Sequence, residues 1–122
     1  PIKQTSNQQP FIRLCDYMLF LNKTEERRKS EKELNEFIDT QVIDSLVYEL
    51  YFKEKFEEDG LKTNLLGLVE PCLKEIEGLE TEEEKLKVTK EVVDEIKADY
   101  RVMKEIEKIK SHEWVKVIEG RR

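Results

Sequence analysis

The strongest pattern in the chain is an apolar stripe in its first half. Between residues 34 and 51, apolar side chains recur at steps of three and four positions, which is the spacing of one face of an α-helix. The acidic residues of this region, among them Glu49, fall mostly off the stripe, so the pattern predicts an amphipathic helix with a charged outer face. The stripe consists of Leu34, Phe37, Ile38, Val42, Ile43, Leu46, Val47, Leu50 and Tyr51.

Local signals predict where this helix and the one before it begin and end. Ser30 and Glu33 have the spacing of a capping box, and Gly60 is a typical helix stop. They predict a helix over residues 31–58, preceded by a short turn and by an earlier helix over residues 11–28. Two helices joined by a tight turn form an antiparallel hairpin.

The segment before the hairpin, residues 1–9, is polar and shows no periodicity. It predicts an extended arm or linker, with Pro10 as the first helical residue, because proline is tolerated at that position. The chain begins with Pro1 instead of Met, so we interpret it as a piece of a longer polypeptide, with the arm leading from an upstream domain.

The second half of the chain predicts three more helical segments. Pro71 lies inside an apolar pattern over residues 61–76 and removes one backbone donor, which predicts a kink or break near Glu70. Thr81 opens another capping-box sequence and predicts a long helix that reaches about residue 110. The buried side of that helix is predicted to carry Leu86, Val93, Ile96, Tyr100, Met103, Ile106 and Ile109.

A short last helix is predicted over residues 112–119, with Ser111 as its candidate cap. Apart from residues 114–118, no part of the chain alternates between apolar and polar positions as a strand does. The sequence therefore predicts an all-α, bundle-like fold, with residues 10–122 forming a single helical domain.

Composition narrows the class of function. The chain has 122 residues, 41% of them charged, and a net charge of -6, which argues against a surface that coats nucleic acid. No apolar run approaches the roughly 20 residues that span a bilayer, so no membrane association is expected. Cys15 and Cys72 do not have the spacing of a metal-binding pair, and they predict reduced thiols in a cytoplasmic protein.

The residues offer no catalytic, cofactor-binding or metal-binding set. The glycines are scattered, so no phosphate-binding loop is predicted, and the Asn-Pro-Pro-Tyr type of loop that adenine methylation requires is missing. His112 is the one histidine and lacks an orienting partner, which favours a helix-capping or packing role. We therefore expect this fragment not to be an enzyme.

Two groups of side chains are candidates for binding. Arg27, Arg28 and Lys29 form the best basic cluster, which we interpret either as a solvated helix end or as a contact to DNA phosphates. Tyr48, Tyr51, Phe52 and Phe56 fall at helical spacing, which favours an internal core over a docking patch. Trp114 either covers the bundle or anchors a neighbour, and both alternatives stay open.

Two stretches of the chain can be compared with a known family: PFI-x-L-x-D-x-ML at residues 10–19, and IDSLVYELY at residues 43–51. They resemble the C-terminal region of TaqI-like restriction–modification proteins, which are adenine-N6 DNA methyltransferases often fused to an endonuclease. The resemblance is strongest over residues 10–52. A third stretch, HEWVKVIEG at residues 112–120, looks like the closing segment of some relatives.

The resemblance implies a noncatalytic helical scaffold or docking domain that positions the target-recognition domain on DNA. Its implied partners are the upstream methylase and recognition domains of the same polypeptide, with DNA reached indirectly or through the basic cluster. The parent is implied to use S-adenosylmethionine, and Mg²⁺ if it also cleaves DNA. The packing face between the first two helices and the parent is expected at Phe11, Leu46, Tyr48, Leu50 and Tyr51.

The alternative is a stand-alone helical module for protein–protein interaction or dimerisation, with no role on DNA. Long amphipathic helices without a reactive set suit both functions. A homodimer is left open by the sequence.

Overall fold

The computed structural model describes the backbone of residues 2–120 and the side chains of residues 8–120. These residues form helices joined by short connections and contain no strand, which confirms the prediction of an all-α fold. The elements in chain order are α1 (Ile2–Leu21), α2 (Glu25–Ser30), α3 (Lys32–Glu36), a π-helix (Phe37–Ile43), α4 (Asp44–Tyr51), α5 (Lys53–Glu58), α6 (Leu65–Val69), a 3-10 helix (Glu70–Cys72), α7 (Glu82–Ala98), α8 (Tyr100–Lys110) and α9 (Glu113–Gly120).

The first helix begins earlier than predicted. Residues 2–9 are the first turns of α1, so the extended arm is wrong for these residues, and Pro10 lies inside the helix instead of at its start. The segment contains no glycine or proline that would stop a helix before Pro10. Within the helix, Pro10 removes one backbone donor without ending the element.

The first helix also ends earlier, at Leu21, because Thr24 starts a new helix. The Thr24 hydroxyl accepts a hydrogen bond from the Arg27 N–H at 3.1 Å, which caps α2. The turn is closed by Asn35, whose side chain donates to the Asn22 side chain at 2.8 Å. The predicted cap at Ser30 is wrong, since its hydroxyl donates to the Arg27 carbonyl instead.

The second helix of the hairpin runs without interruption from α3 through the π-helix to α4, and the π-helix packs against α1. In the wider π turn the Asp44 N–H bonds to the Asp39 carbonyl, five residues earlier. The helix does not continue straight to residue 58, because the backbone turns at Phe52 (φ -104°, ψ 20°) before α5. The helical run ends before Gly60, which has a φ of +76°, as predicted.

Helix ends in the second half are set by side-chain caps. The predicted break near Glu70 and the predicted cap at Thr81 are both confirmed, the latter by a 3.1 Å bond from the Glu84 N–H. The predicted helix to residue 110 is interrupted at Asp99, whose carboxylate accepts from the Arg101 N–H at 2.9 Å and starts α8. The last cap is His112 instead of Ser111, because Nδ1 of His112 accepts from the Trp114 N–H at 3.1 Å.

One hydrophobic core joins α1 to the π-helix and to every later helix. Tyr100, which was predicted to be buried, lies on the outside of α8 because the cap at Asp99 resets the helix there. None of the helices in residues 2–120 combines the length and apolar character needed to cross a membrane. The largest of the fully buried side chains are Leu14, Tyr17, Leu21, Ile38, Val42, Leu46, Phe56, Leu65, Val69, Val92, Ile96 and Ile109.

Candidate docking surface

The basic cluster predicted for DNA phosphates is divided between the inside and the outside of the fold. The guanidinium of Arg27 lies 4.2 Å from the centre of the Phe20 ring, donates to the Phe20 carbonyl at 2.9 Å and pairs with Glu82 at 3.1 Å. Only 17% of the Arg27 side chain is exposed. Arg27 therefore ties α2 to α1 and to the first turn of α7.

The other two members of the cluster point to solvent. Arg28 is exposed, and Lys29 is exposed in an ion pair with Glu25 at 3.3 Å along α2. Such a pair contributes little, because both groups stay hydrated. The structure therefore does not bring Arg27, Arg28 and Lys29 together on one face.

The predicted packing face is also divided. Leu46 and Tyr48 are buried and Phe11 is half-buried, whereas Leu50 and Tyr51 are exposed. The buried side of α4 faces the π-helix, α6 and α8, and one of its side chains also reaches α9. The Tyr48 hydroxyl donates to the Glu119 carboxylate of α9 at 3.3 Å.

Four aromatic rings surround the buried ring of Phe52. The ring centres of Tyr51 and Trp114 lie 5.0 Å and 5.5 Å from it, both in edge-to-face geometry, and Tyr48 and Phe56 lie within 6.4 Å. Edge-to-face pairs add to the stabilisation that burial gives. The aromatic cluster from the VYELY segment is thus mostly core, as favoured from its spacing, with Tyr51 as the exception.

Next to this aromatic centre, α4 and α9 each expose apolar side chains, and we call these side chains together the α4–α9 patch. Tyr51 is 79% exposed and Trp114 is 45% exposed, and both rings pack against Phe52. The Lys55 ammonium lies 5.0 Å from the centre of the Trp114 ring. Exposed tyrosine and tryptophan are the side chains that most often anchor protein interfaces. Trp114 therefore both covers the core and contributes to a surface. The patch consists of Val47, Leu50, Tyr51, Trp114 and Val117.

His112 lies near the patch but has a structural environment. Its Nε2 is 2.7 Å from Asp59, its ring is 4.7 Å from that of Phe56, and its Nδ1 accepts from the backbone of α9. These bonds place the proton on Nε2, donating to Asp59, and that hydrogen bond holds the pKa of Asp59 below its usual value. His112 is a capping and packing residue, in agreement with the prediction.

A groove of about 480 Å³ lies next to the patch, and the carboxylate of Glu49 lines it. Glu49 was predicted on the polar face, but it is buried, and its two oxygens accept from the N–H groups of Leu65 and Leu66 at 2.7 Å and 3.1 Å. Its position three residues after Leu46 and seven after Val42 is the signal that places it inward.

Both oxygens of Glu49 accept from the first N–H groups of α6, so this carboxylate stabilises the start of that helix. Within residues 8–120, no three metal-ligating side chains come together. No family model, curated protein or solved structure matches the chain.

Proposed function

We propose that the chain is a noncatalytic helical docking domain of a DNA restriction–modification protein, in which it holds the target-recognition domain in position on DNA. One observation carries this proposal. Two of the three segments that resemble TaqI-like proteins, residues 43–51 and 112–120, are far apart in sequence, and yet Tyr51 of the first and Trp114 of the second both pack against Phe52 and contribute to the α4–α9 patch. If both segments form one docking surface, their shared role would explain why both resemble the same family.

The patch has the rigidity that a docking surface needs. Glu119 accepts from the Tyr48 hydroxyl and pairs with Lys110 at 2.7 Å, so α9 is fixed to both α4 and α8. A preorganised apolar surface binds with a smaller loss of side-chain entropy than a flexible one. In this proposal the upstream methylase and recognition domains cover the patch, and they hold S-adenosylmethionine and, in a nuclease, Mg²⁺.

Charge supports docking over direct DNA contact. The chain carries a net charge of -6, and Arg27 is already paired with Glu82. Arg28 and Lys29 remain as the exposed basic side chains of the predicted cluster, and two charges neutralise few phosphates. The proposed contribution to DNA recognition is therefore indirect.

The coding sequence upstream of Pro1 gives the first test. We expect it to encode a methylase with an Asn-Pro-Pro-Tyr type of loop. An upstream sequence that encodes no methylase would contradict the proposal.

The second test uses the upstream part of the polypeptide, produced separately and mixed with the 122-residue chain. We expect a complex that Tyr51→Glu weakens at least tenfold, because a charge would be buried at the centre of the interface. Tyr100→Glu is the matched control, since Tyr100 is 74% exposed on α8, outside the patch. Equal binding by both variants would contradict docking through the patch.

A stand-alone interaction module without a DNA role is the second candidate function. It is favoured by a further exposed apolar surface on α1, where Ile12 and Leu19 lie away from the α4–α9 patch in the fold. If the upstream sequence encodes no methylase and the chain still binds a partner through Tyr51, this second function replaces the first.

A further inference from the structure

His112 joins two elements through opposite sides of its ring. Its Nε2 is 2.7 Å from the Asp59 carboxylate, just after α5, and its Nδ1 is 3.1 Å from the backbone nitrogen of Trp114, in the first turn of α9. It is also the one histidine of the chain, and histidine is the side chain whose charge ordinarily changes between about pH 5 and 8. The contact with α9 therefore has to be considered in two protonation states.

The hydrogen bond to α9 requires the neutral ring. The Trp114 N–H is a donor, so Nδ1 has to accept as an unprotonated nitrogen, and the proton of the neutral ring is then on Nε2, donating to Asp59. In the protonated ring both nitrogens carry hydrogens. Nδ1–H would then face the Trp114 N–H, donor against donor, and the cap of α9 would be lost.

Two further effects oppose a charged ring at this position. Helix α9 begins at Glu113, so His112 lies at its N-terminal end, where the helix dipole disfavours a positive charge. Only 8% of the His112 side chain is exposed, and burying a charge to this extent costs free energy. Both effects act in the same direction as the loss of the cap.

One effect favours the charged ring, because Nε2–H would then form an ion pair with Asp59. Asp59 is 41% exposed and already pairs with Lys55 at 3.5 Å, so this gain is the small one of a hydrated surface pair. The other charges around the ring, on α8 and α9, balance each other and select neither state. They are Lys104, Lys108 and Lys116 and Glu105, Glu107 and Glu113.

We propose that His112 is a pH-sensitive switch at the start of α9: the neutral ring caps the helix, and the protonated ring releases its first turn. Trp114 is in that turn, where its ring packs edge-to-face against Phe52 at 5.5 Å. The far end of α9 stays in place, because Glu119 pairs with Lys110 of α8. The switch therefore acts on the part of the α4–α9 patch that Trp114 contributes.

The switch is a property of the chain alone and goes beyond the proposed function. Where the patch serves docking, release of Trp114 weakens docking in mildly acidic solution, and this consequence rests on the proposed function. The experiment below uses the 122-residue chain without a partner. Its failure would therefore contradict the switch and leave docking through the patch untouched.

Amide exchange measured by NMR across the interval in which histidine titrates tests the switch. The measured rate is divided at each pH by that of an unstructured chain, which removes the intrinsic effect of pH. We expect this ratio for the Trp114 amide to rise about fivefold or more as the pH falls, which is the effect of losing a helix cap. The Glu84 amide is the internal control, because its cap is the Thr81 hydroxyl, which does not titrate.

His112→Asn is the matched variant, since asparagine is a preferred cap residue and its side chain does not titrate. It should keep the Trp114 amide protected at both ends of the interval, whereas His112→Ala should leave it unprotected throughout. The fluorescence of Trp114, the one tryptophan, should change with pH in the wild type only. A wild-type exchange ratio that stays constant, or an equal rise in His112→Asn, would overturn the proposal.

Discussion

The hydroxyl group of Tyr17 makes two hydrogen bonds to the backbone of Lys74. It accepts from the Lys74 N–H at 2.8 Å and donates to the Lys74 carbonyl. Tyr17 is fully buried in the core, and this burial raises the pKa of its hydroxyl. The nonhelical segment that follows the 3-10 helix is thereby fixed to α1, 57 residues away in sequence.

We expect Tyr17→Phe to lower the free energy of unfolding by about 1–3 kcal/mol, because it removes both of the part-buried hydrogen bonds to the Lys74 backbone. Urea denaturation measures the change. Tyr100→Phe is the control, since the Tyr100 hydroxyl is exposed, and it should change stability by less than about 0.5 kcal/mol. Equal stabilities of the two variants would contradict the role of the Tyr17 hydrogen bonds.

Glu49 gives a second prediction about stability. Replacing it with Gln leaves one carbonyl oxygen for the two N–H groups of Leu65 and Leu66 and removes the charge that strengthens both bonds. We expect a loss of about 1.5–3 kcal/mol, together with faster hydrogen exchange at the amides of α6.

The control for this variant is Glu54→Gln, at an exposed position of α5. It should leave both stability and exchange near the wild-type values. Unchanged exchange at Leu65 and Leu66 in Glu49→Gln would show that the carboxylate does not stabilise the start of α6.

Arg27 and Arg28 are neighbours in sequence, but we expect Arg27 alone to contribute to the stability of the fold. Arg27→Ala removes the stacking on Phe20, the bond to the Phe20 carbonyl and the partner of Glu82, so we expect a loss of about 1–2 kcal/mol. Arg28→Ala should change stability by less than about 0.5 kcal/mol. Thermal unfolding of both variants checks this difference, and equal effects would contradict it.

The same ion pair predicts a dependence on pH. The hydrogen bond from Arg27 holds the pKa of Glu82 below its usual 4.5. A carboxylate with a lowered folded-state pKa stabilises the fold above its unfolded-state pKa, and this stabilisation is lost as the pH falls through the folded-state value. The wild-type chain should therefore be more stable than Glu82→Gln at pH 7, and the difference should close as the pH falls from 4.5 through the lowered folded-state pKa of Glu82.

Glu83→Gln is the control for the pH experiment, because Glu83 is in the same first turn of α7 and is exposed. Its difference from the wild type should be smaller at pH 7. A Glu82→Gln difference that stays constant from neutral to acidic pH would contradict the ion pair.

The sequence predicted the fold class and the helix ends at Thr81 and Gly60, but not the cap at Ser30, whose capping-box spacing the fold does not use. Thr81 and Gly60 were predicted correctly because a cap or a positive φ is a property of a few neighbouring residues. Asp99 was missed because the apolar periodicity and the charged pairs continue on both sides of it. Periodicity alone does not distinguish one long helix from two helices in the same phase.

The candidate surfaces were harder to predict because they depend on distant contacts. Tyr48 and Tyr51 lie three positions apart on α4, yet Tyr48 is buried with its hydroxyl on Glu119 of α9, whereas Tyr51 is exposed. Arg27 differs from Arg28 only through Phe20 and Glu82, which lie 7 and 55 positions away. Long-range packing of this kind leaves little trace in a single sequence.

The π-helix has a consequence for how the chain tolerates changes in length. Removing one residue from an ordinary helix rotates everything after it by about 100°, which would carry Leu46 out of the core. The wide turn at residues 37–43 already holds its residues in a looser winding, so loss of Gln41 should tighten that turn and leave α4 in place. We expect a chain lacking Gln41 to fold, and one lacking Glu33 from α3 to be far less stable in a denaturation experiment.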